Sequence, residues 1–235
     1  MKKKKKVFFE ATSIAAHQLK NPISIIKNYL EVLSSEEIGK LNEKQKEYLS
    51  DIAEILEKMR RIVEYLLEIS RIEEGKYKLK KEKFSLEDLT ENVIKDFKIW
   101  AQATNTEIFF KREKNLPKVF SDPIRIRHVI ENFISNAIKY KKPEKKGKII
   151  ISIKKRGKFL LFSCKDNGIG IPKKDFKKVF TKFYRSEKAT QLDPQGTGLG
   201  LFIDKATIEE SGGKIGFKKN RGSGMTFYFT LPCSK

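Results

Sequence analysis

The sequence predicts an α+β protein of two domains, an N-terminal helical hairpin and a C-terminal α/β domain. Residues 7–73 contain Gly39 as their one glycine and carry apolar residues at helical spacing. Residues 84–235 hold nearly all other glycines and mix strand-like with helical runs. Residues 74–83 are charged, open with Glu-Gly-Lys, and are expected to form the linker; residues 1–6 form a basic tail.

The hairpin arms each carry a heptad seam of apolar residues. On the second arm a further apolar line runs seven residues apart, and a two-helix hairpin cannot bury it alone. We therefore expect a homodimer with a four-helix bundle, whose hairpins turn between Ser35 and Asn42. The first seam consists of Leu19, Ile23, Ile26, Leu30 and Leu33, the second of Leu49, Ile52, Leu56, Met59, Val63 and Leu66, and the additional line of Tyr48, Ile55, Ile62 and Ile69.

The α/β domain is expected to contain three main helices and five strands. Ser85 caps the first helix, Asp122-Pro123 starts the second, and Gly212-Gly213 ends the third. The predicted helices span 86–102, 123–140 and 198–211, and the predicted strands span 106–111, 149–155, 159–165, 214–218 and 225–231.

The chain is strongly basic, with 51 Lys and Arg against 30 Asp and Glu in 235 residues and a net charge of +21. This charge favours anionic partners such as nucleotides, acidic protein surfaces, lipid head groups or nucleic acid. The run Lys2 to Lys6 suits an anionic membrane surface, a nucleic acid or a solvated tail. Aromatic residues do not alternate with basic ones as on a single-strand-binding surface, which disfavours nucleic acid elsewhere.

Several classes of protein do not fit the sequence. No run approaches the ~18 apolar residues of a spanning helix, and Glu10 interrupts the apolar stretch that a secretory signal would need. Two cysteines are too few for a disulfide scaffold, and no Cys/His spacing indicates zinc. We expect a cytoplasmic protein, or the cytoplasmic core of a longer membrane-bound one.

His17 lies outside the apolar seam, on a polar stripe with Asn21, Ser24 and Asn28. A helical histidine of this kind is commonly an inert surface residue. Here, however, Pro22 removes the backbone hydrogen bond to Gln18 and loosens the turn that follows the histidine. An exposed neutral imidazole in such a place can act as a nucleophile.

Four motifs of the second domain suit a nucleotide. Asn132, Asn136 and Lys139 share a helix face, where amide oxygens suit Mg²⁺ and the lysine suits phosphate, while Tyr140 could stack on adenine. Asp166 could accept a hydrogen bond from an exocyclic amine beside the bends at Gly168 and Gly170. Aromatic residues precede Arg185, a candidate for contact with the terminal phosphate. The fourth motif, a phosphate cradle opening a helix, comprises Gly196, Thr197, Gly198, Leu199 and Gly200.

Each of these motifs, taken alone, could instead have a purely structural role as a helix surface, a tight turn or part of the hydrophobic core. Together, in this order, they resemble the Asn, first glycine, Phe and second glycine boxes of bacterial sensor histidine kinases. The segment from Ala15 to Pro22 resembles the phosphoacceptor box of the same family, and the resemblance spans about residues 8 to 232.

The resemblance implies a Bergerat-type ATP-binding sandwich, as in gyrase, Hsp90 and MutL, with ATP and Mg²⁺ as cofactors and Asn136 as the metal ligand. It implies that His17 accepts phosphate, that Gln18 orients its ring, and that Asn21 positions water for dephosphorylation. Gln18 replaces the family's usual acid and cannot take up a proton. The implied partners are a second copy of the chain, a response regulator receiver domain, and an upstream sensor.

Two alternatives remain open. In ATPases of the same superfamily, a Glu base precedes the metal-binding Asn by four residues, and Asn132 occupies that position here. A nucleotide-binding dimeric scaffold without phosphotransfer is the second alternative, and its support is Gln18. The polar segment from Ser186 to Gln195 is expected to be a flexible ATP lid without helical periodicity.

Overall fold

The computed structural model describes residues 2–234, with side chains from Ile14 to Ser234. The chain divides into two compact units, and the boundary lies between Tyr77 and Lys78. Among the described residues, no helix is both long enough and apolar enough to span a bilayer.

The first unit is a helical hairpin of α1 (Lys2–Ser34) and α2 (Glu43–Glu73). The turn uses left-handed backbone at Glu36 and Gly39, with φ of 58° and 144°. Asn42 starts α2 with a capping box, because its side chain accepts from the Gln45 N–H while the Gln45 side chain accepts from the Asn42 N–H. The two arms bury a single apolar line formed by Ala16, Ile23 and Leu30 of α1 with Leu56, Val63 and Leu67 of α2.

Two features of the hairpin differ from the sequence expectations. α1 begins at Lys2, so the run Lys2 to Lys6 continues the helix and is not a separate tail. The buried line is also narrower than the expected seam, because Leu19, Ile26 and Leu33 stay 45%, 43% and 37% exposed. Two helices cover a narrow stripe of each other, and the rest of each apolar face needs a further partner.

The second unit places helices against a mixed five-stranded sheet. Its elements are β1 (Glu82–Phe84), α3 (Leu86–Asp96), α4 (Lys98–Ala103), β2 (Thr106–Arg112), β3 (Val119–Ser121), α5 (Pro123–Lys139), β4 (Gly147–Arg156), β5 (Phe159–Lys165), a 3-10 helix (Lys173–Lys178), α6 (Glu187–Leu192), α7 (Gly200–Glu210), β6 (Ile215–Lys219) and β7 (Met225–Pro232). The strand order of the five-stranded sheet is β2-β4-β5-β7-β6. β2 and β4 pair in parallel, and the other neighbours are antiparallel. A separate two-stranded sheet pairs β1 with β3.

The core of this unit lies between α5 and the sheet. Phe133 of α5 packs on Phe162 and Phe229, whose rings stack with centroids 4.7 Å apart. Val93 of α3 and Ile130 of α5 are fully buried in the same cluster. Because α5 is anchored through one apolar face, its opposite polar face has a fixed direction.

Three local expectations need correction. The helix expected over residues 86–102 is broken at Phe97, which ends α3 and precedes α4. The expected linker contributes its last residues to β1, and Lys80 donates its N–H to the Asp122 carboxylate at 2.9 Å. The segment expected to lack helical structure, Ser186 to Gln195, contains α6, capped by the Ser186 hydroxyl.

Candidate functional site

His17 lies on the exposed face of α1, together with Gln18 and Asn21. The preceding residue, Ala16, is 1% exposed and fixes which face of α1 turns inward. Pro22 stands inside the helix, and in the following turn the Ser24 hydroxyl donates to the Lys20 carbonyl at 3.0 Å. The imidazole is therefore open to an incoming reactant.

α5 positions the polar residues predicted to bind nucleotide. Asp122 caps its start by accepting from the Arg125 N–H at 3.1 Å. Near the other end, the Asn136 Nδ2 donates to the Asn132 Oδ1 at 3.1 Å. Asn132, Asn136 and Lys139 thus follow one another along one face of the helix, to one side of the buried Phe133.

Asp204 of α7 contacts this row and was missed by the sequence analysis. It is 4% exposed, and its Oδ2 accepts from the Asn132 Nδ2 at 2.5 Å. Burial raises the pKa of Asp204 well above its ordinary value, and the hydrogen bond from Asn132 acts in the opposite direction. A charged residue on the apolar face of a helix is the signal that could have identified it.

Tyr140 joins the end of α5 to the glycine loop after β5. Its carbonyl accepts from the Ile169 N–H at 3.0 Å. A Cβ at Gly168 would lie 2.3 Å from the same carbonyl oxygen, so this approach excludes any side chain there. Burial is the main reason that the pKa of Tyr140 is raised, with the nearby Asp193 carboxylate adding to the effect.

Asp166 is fixed at the base of this loop. Its Oδ1 accepts from the Gly168 N–H at 2.8 Å and from the Met225 N–H at 3.1 Å. Burial raises the pKa of Asp166, while these backbone hydrogen bonds act to lower it. Because both bonds use Oδ1, the Oδ2 atom is the acceptor available for an exocyclic amine.

The second glycine loop leads directly into α7, which begins at Gly200. The Thr197 hydroxyl accepts from the Leu199 N–H at 3.3 Å, and Leu199 is buried. Gly200 approaches α5 so closely that a Cβ would lie 2.7 Å from the Asn132 Nδ2. The loop and the asparagine row therefore lie side by side, while Gly170 lies in the first loop beside Gly224.

Arg185 binds backbone carbonyls in this structure, and its expected contact with a terminal phosphate stays a prediction. Its guanidinium donates to the carbonyls of Ala189 at 2.9 Å and Gly196 at 2.9 Å, and also to those of Asp193 and Pro194. Here it holds the segment around α6 together, because its donors are used by backbone carbonyls of that segment. Of the aromatic residues that precede Arg185, Phe183 is 64% exposed, whereas Phe180 packs against Phe217.

The α6 segment also contacts the expected phosphate-binding lysine. Asp193 Oδ2 lies 3.0 Å from Lys139 Nζ, and the two side chains are 17% and 40% exposed. The lysine predicted to bind phosphate is thus paired with a carboxylate in this structure.

These residues come from four segments distant in the sequence and form one polar site. It offers a carboxylate acceptor, amide oxygens, a lysine and two glycine loops, of which the second opens a helix. A metal fits this donor set: Asn136 uses its Nδ2 on Asn132, so its Oδ1 can serve a hard cation such as Mg²⁺. Fold and site together define a protein with a histidine-bearing helical hairpin and a nucleotide-binding α/β domain.

Comparison with known proteins assigns the family. Residues 10–75 match the His Kinase A (phospho-acceptor) domain, and residues 121–235 match the domain described as histidine kinase-, DNA gyrase B- and HSP90-like ATPase. The chain belongs to the bacterial sensor histidine kinases and corresponds to their transmitter core. It is 33% identical over 222 residues to the sensor protein RprX of Bacteroides fragilis, covering 93% of this chain and 42% of that protein.

Two solved structures share the fold. Full-length ShkA in complex with AMPPNP superposes with a TM-score of 0.78 at 23% identity, covering 96% of this chain and 46% of that one. The histidine kinase ThkA in complex with the response regulator protein TrrA gives a TM-score of 0.62 at 26% identity, covering 99% and 64%. This chain thus spans less than half the length of RprX and of ShkA.

Proposed function

We propose that this chain is an ATP-dependent histidine autokinase that phosphorylates His17 and passes the phosphoryl group to an aspartate of a response regulator. The observation that carries the proposal is the convergence of the asparagine row, the Asp166 loop and the second glycine loop. Gly200 packs on Asn132, and the Tyr140 carbonyl binds the Ile169 N–H.

Each part of the site has a role in this reaction. Asp166 Oδ2 accepts from the adenine amine, and the ring of Tyr140 stacks on the base. Lys139 neutralises phosphate charge, and the loop of Gly196, Thr197, Gly198, Leu199 and Gly200 that opens α7 donates backbone N–H groups to the phosphate oxygens. Asn136 Oδ1 would hold Mg²⁺, which when bound offsets phosphate charge.

The histidine supplies the nucleophile. A neutral imidazole nitrogen of His17 attacks the γ-phosphorus, the bond to the β-phosphate oxygen breaks, and ADP leaves. The Gln18 side chain can accept the other ring N–H and fix the tautomer, but it cannot take up a proton. Asn21, one turn further along α1, is suited to hold a water for the reverse, phosphatase reaction.

A homodimer is the proposed assembly of the hairpin. The unburied faces of both arms are apolar, with Ile55 56%, Ile62 42% and Ile26 43% exposed. Burying such faces against a second hairpin yields about 25 cal/mol per Å² of apolar surface removed from water. The response regulator is proposed as the phosphoryl acceptor by analogy with the ThkA complex with TrrA.

The test is incubation of the chain with γ-labelled ATP and Mg²⁺, followed by acid and alkali treatment of the labelled protein. We expect label that is lost in acid and kept in alkali. His17→Gln should abolish the label while leaving ADP affinity unchanged, and His128→Gln, which alters the other of the two histidines, should leave labelling intact. Label that persists in His17→Gln would refute the assignment.

ATP hydrolysis is a second candidate function. Asn132 occupies the position of the base in the hydrolases, and the Asp204 carboxylate contacts Asn132. Its 4% exposure separates it from bulk water and argues against this role. Labelled inorganic phosphate released by His17→Gln as fast as by the parent chain would favour hydrolysis.

A further inference from the structure

Three side chains form a continuous row of hydrogen bonds from the interior to the nucleotide site. Asp204 Oδ2 accepts from Asn132 Nδ2 at 2.5 Å, and Asn132 Oδ1 accepts from Asn136 Nδ2 at 3.1 Å. The row begins at a residue that is 4% exposed and ends at the proposed metal ligand.

The hydrogen bonds of this row all run in the same direction, because each amide nitrogen donates toward Asp204. An amide side chain can rotate by half a turn and exchange its oxygen for its nitrogen at little cost unless its partners forbid it. The ionised Asp204 carboxylate can only accept hydrogen bonds, so a reversed Asn132 would place two acceptor oxygens 2.5 Å apart. Asn132 must therefore direct its Oδ1 to Asn136.

The same constraint passes to Asn136. Since Asn132 presents an acceptor, Asn136 directs its Nδ2 inward, and its Oδ1 is left to face the site. If Asn132 were reversed, its Nδ2 would attract the Asn136 Oδ1 and remove the oxygen that a hard cation requires.

α7 supplies both restraints on Asn132. Asp204 follows Gly200 by one helical turn, and a Cβ at Gly200 would lie 2.7 Å from the Asn132 Nδ2. The amide is thus confined between the start of α7 and the carboxylate one turn later. The helix whose first N–H groups would cradle phosphate thus also orients Asn132 and, through it, the Asn136 amide that would bind the metal.

We propose that Asp204 is a positioning residue for the metal: through Asn132 it keeps the Asn136 Oδ1 directed at Mg²⁺ without touching nucleotide or metal itself. The proposal rests on the proposed nucleotide site. Residues that orient metal ligands from behind typically change metal affinity by about 10–100-fold when mutated.

The test measures ADP affinity by calorimetry at pH 8, once with excess Mg²⁺ and once with EDTA, for the parent chain, Asp204→Ala and Asp204→Asn. The parent should bind ADP more tightly with Mg²⁺. Asp204→Ala should lose that gain, with the Mg²⁺ concentration needed for half of the effect rising about tenfold or more, while metal-free ADP affinity stays the same. Asp204→Asn should recover much of the gain, because its Oδ1 can still accept from Asn132.

A matched control separates positioning from stability. Asp122 is another buried aspartate, 7% exposed, but it caps the far end of α5. Asp122→Asn should lower the melting temperature and leave the Mg²⁺ dependence unchanged.

Three results would overturn the proposal: Asp204→Ala with the parent's Mg²⁺ dependence, equal weakening of ADP binding with and without Mg²⁺, or Asp204→Asn no better than Asp204→Ala. A parent chain that binds no ADP at all would instead refute the proposed nucleotide site.

Discussion

Asp193→Asn should increase nucleotide affinity, because Asp193 competes with phosphate for Lys139. Its Oδ2 lies 3.0 Å from the Lys139 Nζ. Binding of ADP must break this ion pair and must also bring phosphate charge close to a carboxylate. The asparagine variant removes both costs and leaves the Asp193 carbonyl free to accept from Arg185 as before.

The expected change in ADP affinity follows from the solvent exposure of the ion pair between Lys139 and Asp193. Lys139 is 40% exposed, so solvent screens the pair, and exposed ion pairs contribute about 0.2–1 kcal/mol. Relief of repulsion with the phosphates acts in the same direction. We therefore expect roughly a two- to fivefold lower dissociation constant for ADP at low salt, with the difference shrinking toward 1 M salt, where the screening length falls to about 3 Å.

Calorimetric titration with ADP at low and high salt measures this difference. The matched control is Glu187→Gln, which removes the same charge from the same segment, in the first turn of α6. The control should change ADP affinity less than Asp193→Asn does. Unchanged or weaker ADP binding by Asp193→Asn, or an equal gain in the control, would refute the competition.

Two further predictions concern packing. Gly168→Ala should abolish measurable ADP binding, because its Cβ would lie 2.3 Å from the Tyr140 carbonyl oxygen. The control is Gly157→Ala, at a φ of +59° with no atom within 4 Å, which should lower the melting temperature and leave ADP binding intact. Ile55→Glu should convert the expected dimer into a monomer, as measured by light scattering, since Ile55 is 56% exposed on the apolar face of α2. The control Glu54→Gln should leave the dimer intact. A dimer in the Ile55 variant would contradict the four-helix bundle.

Strong local signals were sufficient to predict most of the elements. Asp122-Pro123 predicted the start of α5, which begins at Pro123, and the alternation over residues 159–165 matches β5. These signals act within one turn or one strand and depend little on distant contacts. β1 and β3 were missed because each has three residues, too few for a periodicity, and each depends on the other for its hydrogen bonds.

Tertiary contacts decide what sequence spacing alone cannot predict. The expected seams follow heptad spacing, but within one chain the two helices bury one narrow line, and the rest of each apolar face is left for the proposed second hairpin. Arg185 is expected to reach phosphate because arginine suits that ligand, and in this structure its donors bind four backbone carbonyls around α6. These partners are unpredictable from sequence spacing, since they depend on how the α6 segment folds back.

Asp204 links the two enzymatic interpretations of the site. A hydrolase of this superfamily needs a carboxylate that reaches water, four residues before the metal-binding asparagine. This chain has an amide there, Asn132, and a carboxylate behind it that is 4% exposed and hydrogen-bonded to that amide. A base in that place cannot take a proton from an attacking water in the site, but it can fix the direction of two amides. Asp204 therefore cannot activate a water for attack on a γ-phosphoryl group, which favours the proposed transfer to the His17 imidazole.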